Sequence, residues 1–211
     1  MASSPSNLFR LSSTQTALAL IAPLHLQPEI NSIRKIHDKA FKKWEPHINI
    51  LYPFVDPSCL TDAVVSLRSC LQDEKVENIQ VTLDGVGTFT HRRNATVFLK
   101  PNPESEARLC RLRGILVRAL GCNEGDGTHD GTFRPHLTMG QAGFQGMGTE
   151  KLAAAVEKVT GGKWEAKKLA VLRREITGEM KVVEELSLQD NDEEKSDSRS
   201  FSEATCTRPT I

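Results

Sequence analysis

One short pattern, written twice, constrains this chain more than anything else in it: a proline followed by a histidine that opens an alternating strand. The two copies are Pro46-His47-Ile48-Asn49-Ile50 and Pro135-His136-Leu137-Thr138-Met139. On a strand, residues two apart share a face, so in each copy the histidine and the small polar residue point one way while the residue between them points the other. The apolar residues anchor the strand in a core, and the polar pair faces whatever lies on the far side.

The segments around each copy repeat in the same order. In the first half, the strand TALALIAP from Thr16 precedes PEINSIRKIHDKAFKKW, where Ile30, Ile33, His37, Ala40, Phe41 and Trp44 fall on one helical stripe that runs to Pro46. After the motif strand, LTDAVVSLRSCLQDE carries Leu60, Val64, Leu67 and Leu71 at helical spacing, and VTLDGVGTF reads as a third strand. In the second half, the strand ATVFLKP leads to a helix capped by Asn102, with Pro103, Glu104 and Glu106 in its first turn and Leu109, Leu112, Leu116 and Leu120 along its apolar face. Gly121 ends that helix, and the loop GCNEGDGTHDGT leads to FRPHLTMGQ, a helix around Leu152, Val156 and Val159, and the strand KLAVLRRE. MKVVEELSL adds a last strand, forming a hairpin with KLAVLRRE through Thr177 and Gly178.

This order predicts an α+β fold: duplicated β-α-β-α-β units in two lobes, residues 14–94 and 95–188, related by a pseudo-two-fold axis. Two mainly antiparallel sheets would flank a central cleft, with intertwined strands allowed. Two motif strands meeting at that axis would bring both histidines to one cleft.

Composition narrows the function classes. The formal charge is zero, but residues 189–211 hold six acids against three bases, so the body is mildly basic. That balance suits a nucleotide or RNA-end substrate and argues against a duplex-DNA binder. Five scattered cysteines without Cys-x-x-Cys spacing fit a reducing compartment. The apolar run from Ala17 to Ala22 is too short to span a membrane. The reading is therefore a monomer of the cytoplasm or nucleus, with a mitochondrial address as the alternative, because the N-terminus is Ser-rich and acid-poor. Residues 1–13 read as a disordered leader and residues 189–211 as a disordered acidic tail.

Imidazole titrates near neutrality, so two histidines in one cleft suit general base and general acid in phosphodiester cleavage. Asn49 and Thr138 can donate to non-bridging phosphate oxygens. The scheme needs neither metal nor cofactor. The paired motifs resemble those of the 2H phosphoesterase superfamily, and PHINILYPF with FRPHLTMGQ is similar to its 2′-5′ RNA ligase-like branch. That resemblance spans about Thr16 to Leu188. It implies hydrolysis of 2′,3′-cyclic phosphates, 2′-5′ bonds or related cyclic nucleotides, sometimes the reverse ligation, with catalytic roles for His47 and His136 and phosphate contact at Thr138. Asn49 departs from the family's Thr or Ser, so the alternative is a nucleotide- or RNA-binding module with impaired turnover.

Further candidates lie beside the motifs. Tyr52 and Phe133 can stack on a nucleobase, Arg134 shares strand parity with His136 and Thr138, and Arg173 sits in the strand equivalent to VTL. Each has a plainer reading as core or solvated surface. His37 reads as a core or boundary residue and His25 as a loop residue. His129 with Asp130 is too sparse a set for zinc, which takes at least three protein ligands.

Overall fold

The structure is a computed structural model that describes residues 9–128, 130–143, 148–159 and 162–189. His129 and the acidic stretch from Asp190 onward lie outside the described residues, as does most of the N-terminal leader.

In chain order the elements are β1 (Thr16–Ile21), α1 (Gln27–His37), β2 (His47–Leu51), a 3-10 turn (Pro57–Cys59), α2 (Leu60–Asp73), β3 (Ile79–Thr90), β4 (Asn94–Pro101), α3 (Pro103–Ala119), β5 (Leu137–Gly143), α4 (Gly148–Glu157), β6 (Lys163–Ala166), β7 (Lys168–Arg174) and β8 (Met180–Ser187). The α+β repeat is as the sequence predicts. Asn102 caps α3 by accepting from the Ser105 amide at 2.9 Å, and Leu109, Leu112 and Leu116 are buried along its inner face. Gly121 then takes a positive φ of 67°, which glycine adopts without steric cost.

Helix α1 stops at His37, well short of the predicted end at Pro46. The reason lies at Asp38, whose backbone is extended and whose carboxylate accepts both from Arg34 Nε at 2.9 Å and from the Ala40 amide at 2.9 Å. A side chain that bonds its own backbone two residues on turns the chain instead of continuing the helix. Trp44 is thereby released from the helical stripe. Strand β6, absent from the sequence reading, pairs with β3, Val81 opposite Trp164.

All strand pairings are antiparallel, and the order is β6-β3-β4-β5-β2-β1-β7-β8. Where the repeat suggested two sheets, the strands form one hydrogen-bonded series whose halves meet at the β5–β2 seam. The third strand of each repeat has crossed over: β3 lies between β4 and β6, and β7 lies beside β1.

One face of the sheet carries the core. Leu18, Leu20, Ile48, Ile50, Leu83, Val97, Leu137 and Met139 pack there with the apolar faces of α2, α3 and α4, all nearly without solvent exposure. The opposite face is lined near the seam by a smaller cluster of Ala17, Ala19, Ala170, Leu172 and Met180, with Trp44 and Tyr52 against it. Small alanines on that side leave room above the strands, and the motif histidines stand there.

A candidate active site at the seam

Ile48 pairs with Leu137 across the seam. Continuing the antiparallel ladder by one residue each way sets His47 against Thr138 and Asn49 against His136. The two histidines are then diagonal neighbours on one face, a relation that puts Cα atoms roughly 7–8 Å apart.

Each motif also carries the same irregularity. Leu18 pairs with Leu51 and Ala19 with Asn49, so Ile50 is an extra residue; Val97 pairs with Gly140 and Phe98 with Thr138, so Met139 is extra. A bulge bends its strand and increases local twist, and each of these sits one residue past a polar pair.

The ring nitrogens are set alike. Nδ1 of His47 lies 2.7 Å from the Glu45 carbonyl oxygen, and Nδ1 of His136 lies 2.8 Å from that of Arg134. A carbonyl only accepts, so each Nδ1 carries the proton and donates it. Each neutral ring therefore keeps its lone pair on Nε2, the atom left for proton exchange. Burial pulls the His47 imidazole from 6.5 to about 4, against the raising effect of the Glu45 carbonyl and with smaller lowering contributions from Arg34 and from His136 itself. Burial also lowers His136, again opposed by its backbone hydrogen bond.

Their walls differ. Trp44 stacks on His47 with ring centroids 4.4 Å apart and planes 18° from parallel, and it meets Tyr52 edge-on at 5.3 Å. His136 instead meets Phe89 edge-on at 4.9 Å and Phe98 at 5.1 Å with a 56° tilt. Phe98 folds over Gly87, where an added Cβ would come within 2.3 Å of its ring.

A cavity of about 640 Å³ opens on the His136 side of the seam and includes Asn49, Tyr52, Phe133 and Arg134 in its lining. Asn49 Oδ1 is buried and has no hydrogen-bond partner among the described residues. Phe133 lies under the guanidinium of Arg113 at 5.2 Å, and the nearly buried Arg113 donates to the carbonyls of Glu124 (2.6 Å) and Asp126 (2.5 Å), fastening the glycine-rich loop over the cavity. Arg134 pairs with Asp130 at 2.7 Å at the solvent boundary. Arg173 is exposed and alternates to the strand face opposite Ala170 and Leu172, so it stands apart from the histidines. Its neighbour Arg174 takes the near side, donating from Nη2 to the Tyr52 hydroxyl at 3.1 Å.

Sequence reasoning thus missed Trp44, Phe89, Phe98, Arg113 and Arg174. Strand parity alone could have raised Arg174, since it shares a face with Ala170 and Leu172; the others depend on register and on where α1 ends.

The sequence profile of the 2′-5′ RNA ligase superfamily matches residues 22–177. No curated protein sequence matches the chain closely. Among solved structures, TT0787 of Thermus thermophilus is similar in fold, with 18% identity, a TM-score of 0.53, and 83% of this chain and 98% of that chain covered. Escherichia coli LigT complexed with 3′-AMP is 13% identical with a TM-score of 0.56, covering 85% of this chain and 100% of LigT. Kluyveromyces marxianus Usb1 is 13% identical with a TM-score of 0.50, covering 84% and 99%. A profile spanning both histidine motifs and the seam between them makes this chain a member of the 2′-5′ RNA ligase superfamily, within the 2H phosphoesterases.

Proposed function

We propose that the chain is a metal-independent phosphodiesterase that hydrolyses 2′,3′-cyclic phosphates or 2′-5′ phosphodiester bonds of nucleotides or RNA ends. The observation that carries this reading is the matched pair of imidazoles, each holding its Nδ1 proton on a backbone carbonyl two residues earlier. One Nε2 takes a proton from water as the oxygen attacks phosphorus. The other, protonated, delivers its proton to the ribose oxygen as the P–O bond breaks. Thr138 Oγ1 and the Asn49 amide donate to the non-bridging oxygens, where charge grows in the transition state. Tyr52 and Phe133 offer faces for a base, and Arg134 offers charge at the rim. With a 5′-hydroxyl in place of water, attack on a 2′,3′-cyclic phosphate breaks the P–O3′ bond, the acid protonates the 3′ oxygen, and the two ends are joined through a 2′-5′ bond.

Purified protein in excess chelator is expected to open a 2′,3′-cyclic mononucleotide, with His47→Ala and His136→Ala each abolishing turnover. Activity lost to chelator but kept by both variants would remove the mechanism. A second reading, a nucleotide- or RNA-binding module with impaired turnover, is favoured by one observation: the unpartnered Asn49 Oδ1. An amide at this position binds without the compact fit of a hydroxyl. Ligand binding without product, unchanged in Asn49→Thr, would favour it.

A further inference from the structure

The longest hairpin of the sheet, β3–β4, ends beside the cavity and carries an unused cluster of positive charge. Phe89 stands against His136, and Thr88, Phe89, Thr90 and His91 all line the cavity. The chain then turns through Arg92 and Arg93, with the His91 amide donating to the Asn94 carbonyl at 2.8 Å to close the turn. Two residues, Thr90 and His91, separate Phe89 from Arg92, at most about 10 Å of chain. The tip therefore lies a short step beyond the reacting centre.

Both arginines are exposed. Neither forms an ion pair among the described residues, although eight other cationic side chains do. The cavity leading to them is lined by Arg113 and Arg134 against one acid, Asp130, which pairs with Arg134. Adjacent arginines on a two-residue turn repel each other, and nothing in the packing calls for them there.

We infer that the β3–β4 tip, through Arg92 and Arg93, grips the backbone of a single-stranded oligonucleotide whose terminal phosphate sits at the histidines. The substrate class is thereby an RNA end and not a free mononucleotide. This rests on the proposed phosphodiesterase reading for where the terminus goes, but the grip itself is independent of turnover. The chemistry fixes the direction: when a 2′,3′-cyclic phosphate occupies the site, the rest of the strand can continue only from the 5′ oxygen of that ribose.

The test compares a 2′,3′-cyclic mononucleotide with a short oligonucleotide ending in the same group, on wild type, on Arg92→Ala/Arg93→Ala, and on Arg111→Ala of α3 as a charge control. Binding is read separately by fluorescence anisotropy with a labelled single strand ending in a non-cyclic 3′-phosphate. Wild type is expected to favour the oligonucleotide, and the double variant to lose about tenfold in affinity for it at low salt. The slope of log K against log salt should fall by up to about 1.4, at about 0.7 per phosphate contact on a single strand. Mononucleotide turnover should be unchanged. An oligonucleotide preference that survives the double variant, or that is absent from wild type, overturns the inference. Arginine-dependent oligonucleotide binding with no turnover of either substrate overturns the phosphodiesterase reading and leaves the grip standing.

Discussion

Replacing Trp44 by leucine tests whether the indole does more than shield His47. The two rings lie nearly parallel at 4.4 Å, so the negative face of the indole underlies an imidazole that becomes cationic in the proposed reaction. A cation over tryptophan at this range is worth roughly 0.5–1 kcal/mol where water has access and about 2 where it has not. Taking about 1 kcal/mol for a half-buried ring, loss of the face lowers the His47 pKa by about 0.7, since one pH unit is about 1.36 kcal/mol. Leucine keeps the wall apolar, so the burial that already holds the group near 4 persists and the pKa moves further down. Alanine opens the wall to water, relieves the desolvation that dominates the shift, and moves the pKa up. The same lost stabilisation of the imidazolium in the transition state slows Trp44→Leu about fivefold in kcat. An NMR titration of the His47 ring in both variants, with kcat on a cyclic substrate, reads these effects. A leucine variant that titrates at or above the wild-type value refutes the electrostatic role and leaves Trp44 as a mere lid.

Other outcomes follow from the same geometry. The proposed mechanism needs one protonated and one neutral imidazole, and both are depressed below 6.5, so kcat/KM of the free enzyme should peak on the acid side of pH 6.5 and fall again near pH 4; a maximum above pH 7 would contradict it. Because the folded pKa of His47 lies below its unfolded value, stability from this group is complete above pH 6.5 and is lost as pH falls toward 4, and His47→Gln should flatten that loss in urea melts at successive pH values. The Arg34–Asp38 pair is almost wholly buried at 2.8 Å, so Arg34→Met should cost about 3–5 kcal/mol by stranding a carboxylate, with Arg34→Met/Asp38→Leu recovering much of it in denaturant unfolding. Gly87→Ala should push the Phe98 ring off its seat and disturb His136, lowering kcat more than affinity for a 3′-phosphate.

The repeat is legible because its signals are local: a proline ahead of each histidine, alternation after it, and apolar spacing on the flanking helices all speak within a few residues. Helix α1 is overread because Ala40, Phe41 and Trp44 keep helical spacing past Asp38, while the carboxylate that ends the helix acts through Arg34, a partner that spacing does not reveal. Strand β6 has four residues and alternates about Trp164, too short a run to announce itself. Arg173 and Arg174 can be told apart only by strand parity, and the aromatic walls only by register, since Phe89 and Phe98 come from different strands. The bulges at Ile50 and Met139 leave no mark in sequence, yet they shape both halves of the site.

The crossing of β3 and β7 has a consequence for how such a molecule can be divided. A cut at the Arg92–Arg93 turn yields one piece with β1 to β3 and another with β4 to β8, and in the finished sheet β3 is flanked only by strands of the other piece. Neither piece can satisfy its own backbone hydrogen bonds alone. The two are obliged to fold as each other's template, so co-expressed fragments should reassemble while each by itself stays insoluble.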